Sequence, residues 1–439
     1  MSRVDRRPVA VLTVHSCPWS EVGGAENGGM SVYVRAVTQA LADRGVPSHV
    51  YTRMEDAGAI PEADVPAGCR LIHVPAGPVA PIDKAGLFYN LPDFLRGVAA
   101  HARAEGIEYR AIHSHYWLSG WVGQRLSEMW GVPWLHMAHT WARVKDRDRP
   151  PGAAPEPLQR IAVEEEIVRT CNRLIAPTAQ EVEDLAELYG AGRSCVAIVP
   201  PGVDLERFRP VDPAALRRRL GIAEADRVVL FTGRLERLKG VETLALAFAE
   251  MLRQAPALSL RLLVLGSDSG NGQAEAAAHG GERARLVALC RELGIADRVS
   301  FLGTVGHDQL PAYYSLADVC CVPSYSESFG FVAIEAQACQ TPVVASRVGG
   351  LRQLVLDGIS GYTIPRHDPH DYAAAMLRLL RDDSRRAVMG VAGRRVAQSY
   401  SWEATAGRLA RLYDEVGADY DRAAALLLMP AALAVAGGG

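Results

Sequence analysis

Short runs of aliphatic and β-branched residues alternate along the first half of the chain with longer stretches in which apolar residues recur at helical spacing. Continuous apolar runs of this kind are typical of strands in a parallel sheet whose two faces are both covered by helices. The pattern therefore predicts a doubly wound α/β domain. Its strands are predicted at residues 9–14, 49–52, 71–74, 111–113, 134–137 and 173–176.

The same alternation begins again after a segment that suits neither a helix nor a sheet. Residues 199–204 read Val-Pro-Pro-Gly-Val-Asp, and consecutive prolines disfavour both structures. We therefore expect a first domain at 1–203, a second at 204–395, and a C-terminal helical segment and tail at 396–439. The second domain is predicted to contain strands at 228–232, 261–266, 298–302, 319–323 and 342–346, helices at 241–254 and 282–293, and a mobile glycine-rich loop at 268–281.

Composition and charge narrow the possible functions. The 439 residues include 47 Lys and Arg against 50 Asp and Glu, a net charge of −3, so there is no basic domain of the kind that binds nucleic acid. The 8 cysteines lack the spacing of a disulfide framework or a zinc site, and we expect a cytoplasmic protein with reduced thiols. The apolar stretches 8–14 and 423–436 are too short for a signal peptide or a membrane crossing, so no membrane partner is expected.

Glycines open a predicted helix directly after the first strand. They are Gly23, Gly24, Gly28 and Gly29, and they would let backbone N–H groups approach an anionic oxygen at the positive end of the helix. Their spacing matches neither the dinucleotide-binding motif nor the P-loop. The segment is therefore either a phosphate cradle or a simple tight turn.

Polar side chains follow two neighbouring predicted strands, at the edge where open α/β sheets bind ligands. His113 and His115 end one strand, and His139 follows the next. The histidines raise the question of a metal, but no third ligand stands near them, and the D-x-D at Asp146 and Asp148 lies in a polar loop. We predict no metal site.

Two motifs in the second domain suggest a site for a phosphorylated sugar. The predicted strand 228–232 leads into Gly-Arg-Leu-Glu-Arg-Leu-Lys-Gly, where Arg234 and Lys239 are placed to hold a diphosphate. Further on, Glu327 and Glu335 stand eight residues apart, and carboxylates accept hydrogen bonds from sugar or ribose hydroxyls. The pair could equally be the acid and base of a hydrolase, or ordinary helix charges.

Together these motifs resemble the retaining glycosyltransferases of family 4, over essentially the whole chain. The resemblance rests on the G-R-L-x-x-x-K-G motif combined with E-x7-E. It implies the GT-B fold, in which two Rossmann-like domains face a cleft and the C-terminal helix crosses back to the first domain. Residues 28–30, 112–120 and 138–140 are most similar to the members that act in mycothiol biosynthesis, which implies transfer of N-acetylglucosamine from UDP-N-acetylglucosamine to an inositol phosphate.

The same resemblance implies roles around the sugar donor. Arg234 and Lys239 match the cations on the diphosphate, and Glu335 matches the carboxylate on the ribose. Glu327 and His139 match residues beside the transferred sugar, so His139, Arg234, Lys239 and Glu327 are the implied catalytic group. The full set of implied donor and catalytic residues is Gly29, His139, Arg234, Lys239, Glu327, Phe329, Gly330 and Glu335.

The resemblance also implies a phosphate clamp for the acceptor. Alone, Lys84 and Arg160 read as solvated charges, but with Tyr116 and Thr140 they match the groups that hold inositol phosphate. Ser31 stands where the family usually has asparagine at the acceptor. This departure leaves the acceptor open, and sucrose-phosphate-synthase-like and natural-product glycosyltransferases are the alternatives.

The expected chemistry is a hexosyl transfer with retention, in which the departing phosphate takes the acceptor proton and Arg234 and Lys239 stabilise the growing charge. No cofactor is expected, since the two cations take the electrostatic role of a metal. The expected partners are a UDP- or GDP-sugar and a small, phosphorylated acceptor, with a homodimer left open. A nucleotide-sugar 2-epimerase would share the fold but needs no acceptor clamp, so Lys84 and Arg160 count against it. A non-catalytic nucleotide-sugar sensor is a third interpretation, and the intact donor motifs count against it.

Overall fold

A computed structural model describes residues 7–19, 28–56, 65–268 and 281–428. The glycine pair Gly23 and Gly24, most of the predicted loop 268–281, and the end of the apolar tail lie outside these residues. Within them, two parallel sheets are each covered by helices on both faces, as the sequence pattern predicted. The prediction of an α/β protein with two Rossmann-like domains is confirmed.

The first sheet has seven parallel strands in the order β3-β2-β1-β4-β5-β6-β7. Sequential strands run outward from β1 in one direction and then from β4 in the other, so the order reverses between β1 and β4. Such a reversal opens a crevice at the carboxyl ends of these two strands. The strands are β1 (Val9–Leu12), β2 (Ser48–Arg53), β3 (Cys69–Val74), β4 (Ala111–His115), β5 (Trp134–Met137), β6 (Arg173–Ala176) and β7 (Val196–Ile198).

The second sheet has six parallel strands in the order β10-β9-β8-β11-β12-β13. Its reversal lies between β8 and β11, and the two motifs of the second domain follow these two strands. The strands β7 and β13 were not predicted, because each is a short edge strand with a mixed pattern of burial. The strands are β8 (Arg227–Thr232), β9 (Leu260–Leu265), β10 (Val299–Gly303), β11 (Val319–Val322), β12 (Val343–Ser346) and β13 (Gly361–Ile364).

Helices connect successive strands and cover the sheets. In the first domain they are α1 (Gly29–Ala42), α2 (Lys84–Phe88), α3 (Leu91–Ala104), α4 (Tyr116–Trp130), α5 (Ala142–Arg147), α6 (Leu158–Thr170) and α7 (Ala179–Tyr189). After them come α8 (Ala214–Arg219), α9 (Val241–Gln254), α10 (Gly281–Glu292), α11 (Leu310–Leu316), α12 (Phe331–Ala338), α13 (Leu351–Leu354), α14 (Pro369–Leu380), α15 (Asp383–Gln398) and α16 (Trp402–Leu428). Short 3-10 turns occur at Arg193–Cys195, Arg237–Lys239 and Ala296–Arg298.

The last helix returns to the first domain. Leu409 and Tyr413 on α16 are buried against β1 and against Val34 and Val37 on α1. The chain therefore crosses between the domains twice, and the predicted return of the C-terminal helix is confirmed. Across the described ranges, no helix combines the length and the apolar character that a membrane crossing requires.

The two crossings touch each other. The Val203 N–H donates to the Tyr400 carbonyl over 3.1 Å. A Cβ at Gly202 would lie 2.2 Å from the backbone nitrogen of Trp402, so only glycine fits beside the segment in which the chain returns to the first domain. The two crossings thus lie side by side, and a cleft lies between the carboxyl ends of the two sheets.

Candidate functional site

The main cleft is lined by both domains, at the points where the strand order of each sheet reverses. On the first-domain wall, His15 follows β1, Tyr116 follows β4, and His139 and Thr140 follow β5. Tyr116 and His139 have φ angles of 73° and 62°, in the left-handed region that residues with a Cβ rarely adopt. Backbone strain of this kind concentrates at functional sites.

The predicted acceptor residues lie together on this wall. Lys84 is the first residue of α2, and its Nζ lies 5.7 Å from the centre of the Tyr116 ring. The Arg160 guanidinium lies 4.9 Å from the centre of the same ring. Arg160 also donates to the hydroxyl oxygen of Tyr116 over 3.2 Å and to that of Thr140 over 3.1 Å. Tyr116 is therefore in contact with both cations.

Arg160 is buried and fully engaged. Besides the two hydroxyls, it donates to Glu164 over 2.6 Å, to Glu156 over 2.8 Å and to the Thr140 carbonyl over 2.6 Å. A guanidinium has five N–H donors, and these contacts use all of them. In this arrangement Arg160 orients Tyr116 and Thr140, while the hydroxyls and Lys84 face the cleft. For the Arg160 guanidinium to contact a ligand phosphate directly, its hydrogen bond to Glu156 would have to break.

Ser31 does not line the cleft. It is buried in the first turn of α1, and its hydroxyl lies 2.7 Å from that of Ser16. Its implied acceptor role stays a prediction. Gly28 and Gly29, at the start of the same helix, do line the cleft, so the backbone approach that the glycines predict is geometrically available there.

On the second-domain wall, Arg234 follows β8 and Lys239 lies in the adjoining 3-10 turn. The Lys239 Nζ donates to Glu327 Oε2 over 2.7 Å. The turn ends at Gly240, where φ is 69° and a Cβ would lie 2.1 Å from the Pro323 carbonyl oxygen. Glycine at 240 therefore lets the cationic turn pack against the segment that carries Glu327.

Of the three remaining predicted donor residues, one lines the cleft and two do not. Phe329 lines the cleft, but Gly330 and Glu335 do not. Glu335 is 6% exposed and accepts from the Tyr314 hydroxyl over 2.9 Å, with His307 Nε2 at 3.4 Å. Gly330 precedes α12 with a φ of 109°, where a side chain would be strained. The donor roles of Gly330 and Glu335 stay predictions.

The two walls meet at His139. Its carbonyl accepts a 2.6 Å hydrogen bond from the hydroxyl of Ser328, the residue after Glu327. Its ring Nε2 lies 3.0 Å from His115 Nδ1. The sequence prediction named His139 but missed Ser328, because a serine beside a motif carries no signal of its own. His139 is thus held from both domains.

His15 is a further cleft residue that the sequence reasoning missed. It is 8% exposed, its ring lies 4.5 Å from that of Tyr116, and its Nδ1 has no partner among the described residues. Burial lowers its pKa, and the charges of Lys84, His139 and Arg160 lower it further. The signal available in the sequence was its position directly after the first predicted strand.

The described residues contain no group of three metal-ligating side chains. Asp148 lines the cleft, whereas Asp146 accepts from the backbone N–H of Glu156 over 2.9 Å. His113 donates to or accepts from the Tyr413 hydroxyl over 2.8 Å. Asp146 and His113 are thus engaged by other groups, and the absence of a metal site stays a prediction.

Comparison with known proteins gives the family of both domains. Residues 27–207 match the family model described as Glycosyltransferase Family 4, and residues 212–396 match Glycosyl transferases group 1. The chain is 43% identical to the D-inositol 3-phosphate glycosyltransferase of Thermobispora bispora, over 94% of this chain and 95% of that protein. It is also 43% identical to the enzyme of the same name from Geodermatophilus obscurus, over 99% and 96% of the two chains.

Solved structures show the same fold. Sucrose-phosphate synthase from Thermosynechococcus elongatus aligns with a TM-score of 0.84 at 36% identity, over 94% of this chain and 100% of that one. Anabaena HepE in complex with UDP and glucose aligns with a TM-score of 0.73 at 20% identity, over 93% and 99% of the two chains. The second likeness concerns the fold alone.

The buried histidines predict that acid destabilises the protein. Their folded-state pKa values lie below the ordinary value near 6.5, so the unfolded chain binds more protons once the pH falls below that value. Stability therefore rises with pH across this window, by at most about 1.4 kcal/mol per pH unit for each histidine. Glu181 opposes this trend, because burial raises its pKa to about 8. The buried histidines are His15, His49, His113, His115 and His136, and the half-buried His139 has a lowered pKa as well.

Urea unfolding at several pH values between about 7 and about 5 measures the effect. We expect the free energy of unfolding to fall as the pH is lowered. The matched variant is His136→Phe, which removes one buried histidine away from the cleft and should weaken the pH dependence by about one proton. A free energy that stays constant or rises on acidification would contradict the buried, neutral cluster.

Proposed function

This chain belongs to the family 4 glycosyltransferases, and we propose that it transfers a sugar from a nucleoside-diphosphate sugar to a small phosphorylated polyol, with inositol phosphate as the acceptor. One observation carries the proposal. The cleft has groups that could bind phosphate on both walls, with Arg234 and Lys239 on one side and Lys84 with Tyr116 on the other. Two relatives named for inositol 3-phosphate support this choice of acceptor.

The donor would bind against the second domain, with its diphosphate on Arg234 and Lys239. In the present arrangement Lys239 is paired with Glu327, and Arg234 lies 3.4 Å from Glu236. A diphosphate entering the cleft would compete with these carboxylates for the same cations. We take the donor to be UDP-N-acetylglucosamine, as the sequence resemblance implies.

The reaction would proceed on one face of the sugar. The bond from the anomeric carbon to the β-phosphate oxygen breaks, and the acceptor oxygen forms its bond on the same face. The acceptor proton passes to the departing phosphate, whose charge Arg234 and Lys239 stabilise. The products are the nucleoside diphosphate and a glycoside of retained configuration, and these cations give the step its charge stabilisation without a cofactor.

The acceptor site would read the phosphate through Lys84 and the hydroxyls of Tyr116 and Thr140. Arg160 would act mainly by orienting both hydroxyls, because its own donors are engaged. His15 stands beside Tyr116 and adds a hydrogen-bonding group for a ring hydroxyl. The clamp would let a protein of nearly neutral surface select an anionic acceptor.

A second candidate is transfer to a hexose phosphate, as in the sucrose-phosphate synthase to which the chain is similar. The observation that favours it is Ser31, which stands where the family usually has asparagine and is turned toward Ser16. Both candidates would use a nucleoside-diphosphate sugar and the phosphate clamp. They differ in the acceptor ring, so rates measured with inositol phosphate and hexose phosphates in competition separate them.

Replacing Lys239 tests the role of the second-domain cations. The variant Lys239→Ala should lower kcat by at least ~10²-fold, the cost of losing one stabiliser of a developing anion. The measurement is release of the nucleoside diphosphate at saturating donor and acceptor. Arg237→Ala is the matched control, since Arg237 is an exposed cation of the same turn and should leave kcat nearly unchanged. Near-normal turnover in Lys239→Ala would refute the mechanism.

Replacing Lys84 tests the acceptor clamp. Lys84→Ala should raise the KM for a phosphorylated acceptor by about 10- to 100-fold, because a charge-assisted contact is lost. Slow hydrolysis of the donor by water should stay unchanged. Arg96→Ala, at an exposed cation on α3, is the control. Equal losses with inositol phosphate and with inositol itself would argue against the clamp.

Arg160 is a poorer target for the same test. Its removal would leave Glu164, which is fully buried, without its cation. Breaking a buried ion pair typically costs about 3–5 kcal/mol of stability. A loss of activity in Arg160→Ala would therefore mix unfolding with loss of binding, which the Lys84 variant avoids.

A further inference from the structure

We propose that His115 is a positioning residue that fixes the tautomer of His139, so that His139 carries its proton on Nδ1 and acts in the cleft as a hydrogen-bond donor. This inference concerns a residue that does not line the cleft. It rests on the proposed function for its catalytic meaning, although the tautomer itself is a property of the protein alone.

The contact between the two rings is direct. His115 is the last residue of β4 and is fully buried, while His139 lies in the segment after β5. His115 Nδ1 lies 3.0 Å from His139 Nε2, within hydrogen-bond distance. Tyr33 packs edge-on against both rings, with centroids 5.7 Å from His115 and 5.2 Å from His139. The pair is therefore enclosed on its interior side by an aromatic residue.

Both rings are neutral at ordinary pH. Burial lowers the pKa of His139 to about 3. Burial lowers the pKa of His115 as well, and the neighbouring His113, His139 and His136 lower it further. A neutral imidazole has one N–H and one lone pair, so the hydrogen bond between the rings has only two possible arrangements. Either His115 donates from Nδ1, or His139 donates from Nε2.

The surroundings of His115 decide between them. Its Nε2 is buried and has no hydrogen-bond partner among the described residues. If His139 were the donor, the proton of His115 would have to sit on this Nε2, as a buried N–H without an acceptor. Any buried polar atom left without a partner costs roughly 1–3 kcal/mol, and orphaned N–H groups are rarer in proteins than acceptors that lack a donor. The favoured arrangement therefore has the proton of His115 on Nδ1.

This choice determines the proton of His139. Its Nε2 accepts from His115, so its single proton lies on Nδ1. The Ser328 hydroxyl donates to the backbone carbonyl of His139, and the backbone of His139 has a left-handed conformation. Together they fix the position from which the imidazole ring extends. His139 lines the cleft, and an Nδ1–H there can donate to an oxygen of the sugar donor. It cannot take the acceptor proton, which fits a reaction in which the departing phosphate takes it.

The proposal can be tested on the whole protein by nitrogen NMR of the histidine rings. In a sample with 15N-labelled histidine, long-range proton–nitrogen correlations separate the two neutral tautomers by their nitrogen shifts. Comparison with His139→Gln identifies the His139 signals. We expect His139 to show the Nδ1–H form. An Nε2–H form in the wild-type protein would overturn the proposal without any variant of His115.

Two variants of His115 test the cause. In His115→Asn, the side-chain amide can place an N–H donor where Nδ1 stood, so the His139 tautomer should persist. His115→Phe removes the donor, and His139 should then change or mix its tautomers. His136→Phe is the control, since His136 is equally buried on the neighbouring strand and bonds Ser114 instead. An unchanged His139 spectrum in His115→Phe would contradict the assignment.

Activity gives a second readout. We expect kcat in His115→Phe to fall by roughly 10- to 100-fold, the usual cost of losing a partner that orients a functional group, with little change in the KM of the donor. His115→Asn should restore most of kcat. Equal losses of kcat in His115→Phe and His136→Phe would refute a specific role. The NMR result does not depend on transfer, so failure of the proposed function would leave the tautomer assignment standing.

Discussion

The carboxyl ends of two parallel sheets face one cleft, and the candidate residues that line it depend on this arrangement. In each sheet the strand order reverses once, between β1 and β4 and between β8 and β11. The loops that leave these strands diverge, so their polar residues are left at a crevice rather than under a helix. The contact between the two crossings at Gly202 and the return of α16 hold the two crevices opposite each other.

Cations and carboxylates in the cleft balance each other. Lys239 is paired with Glu327, and Arg160 with Glu156 and Glu164. A buried cation without a partner would be costly, so each is matched by a carboxylate. If the cleft binds phosphates as proposed, a phosphate would take the place of a partly buried carboxylate such as Glu327. Glu164 is too deeply buried to be displaced in this way.

The sequence predicted what depends on local pattern and failed where tertiary packing decides. Apolar periodicity was enough for the two doubly wound domains, and the motif residues Arg234, Lys239 and Glu327 lie on the cleft as their positions after strands implied. The engagement of Arg160 could not be read from sequence, since its partners come from several segments. The inward turn of Ser31 depends likewise on its contact with Ser16.

The central claim is that this cleft joins a sugar from a nucleotide donor to a phosphorylated acceptor. Mass spectrometry of the products from a panel of UDP- and GDP-sugars, with inositol phosphate, hexose phosphates and their unphosphorylated forms, tests it most directly. We expect a glycosylated inositol phosphate from UDP-N-acetylglucosamine and far less product from free inositol. Glycosylation of unphosphorylated acceptors alone, or no glycosylated product from any pair, would contradict it.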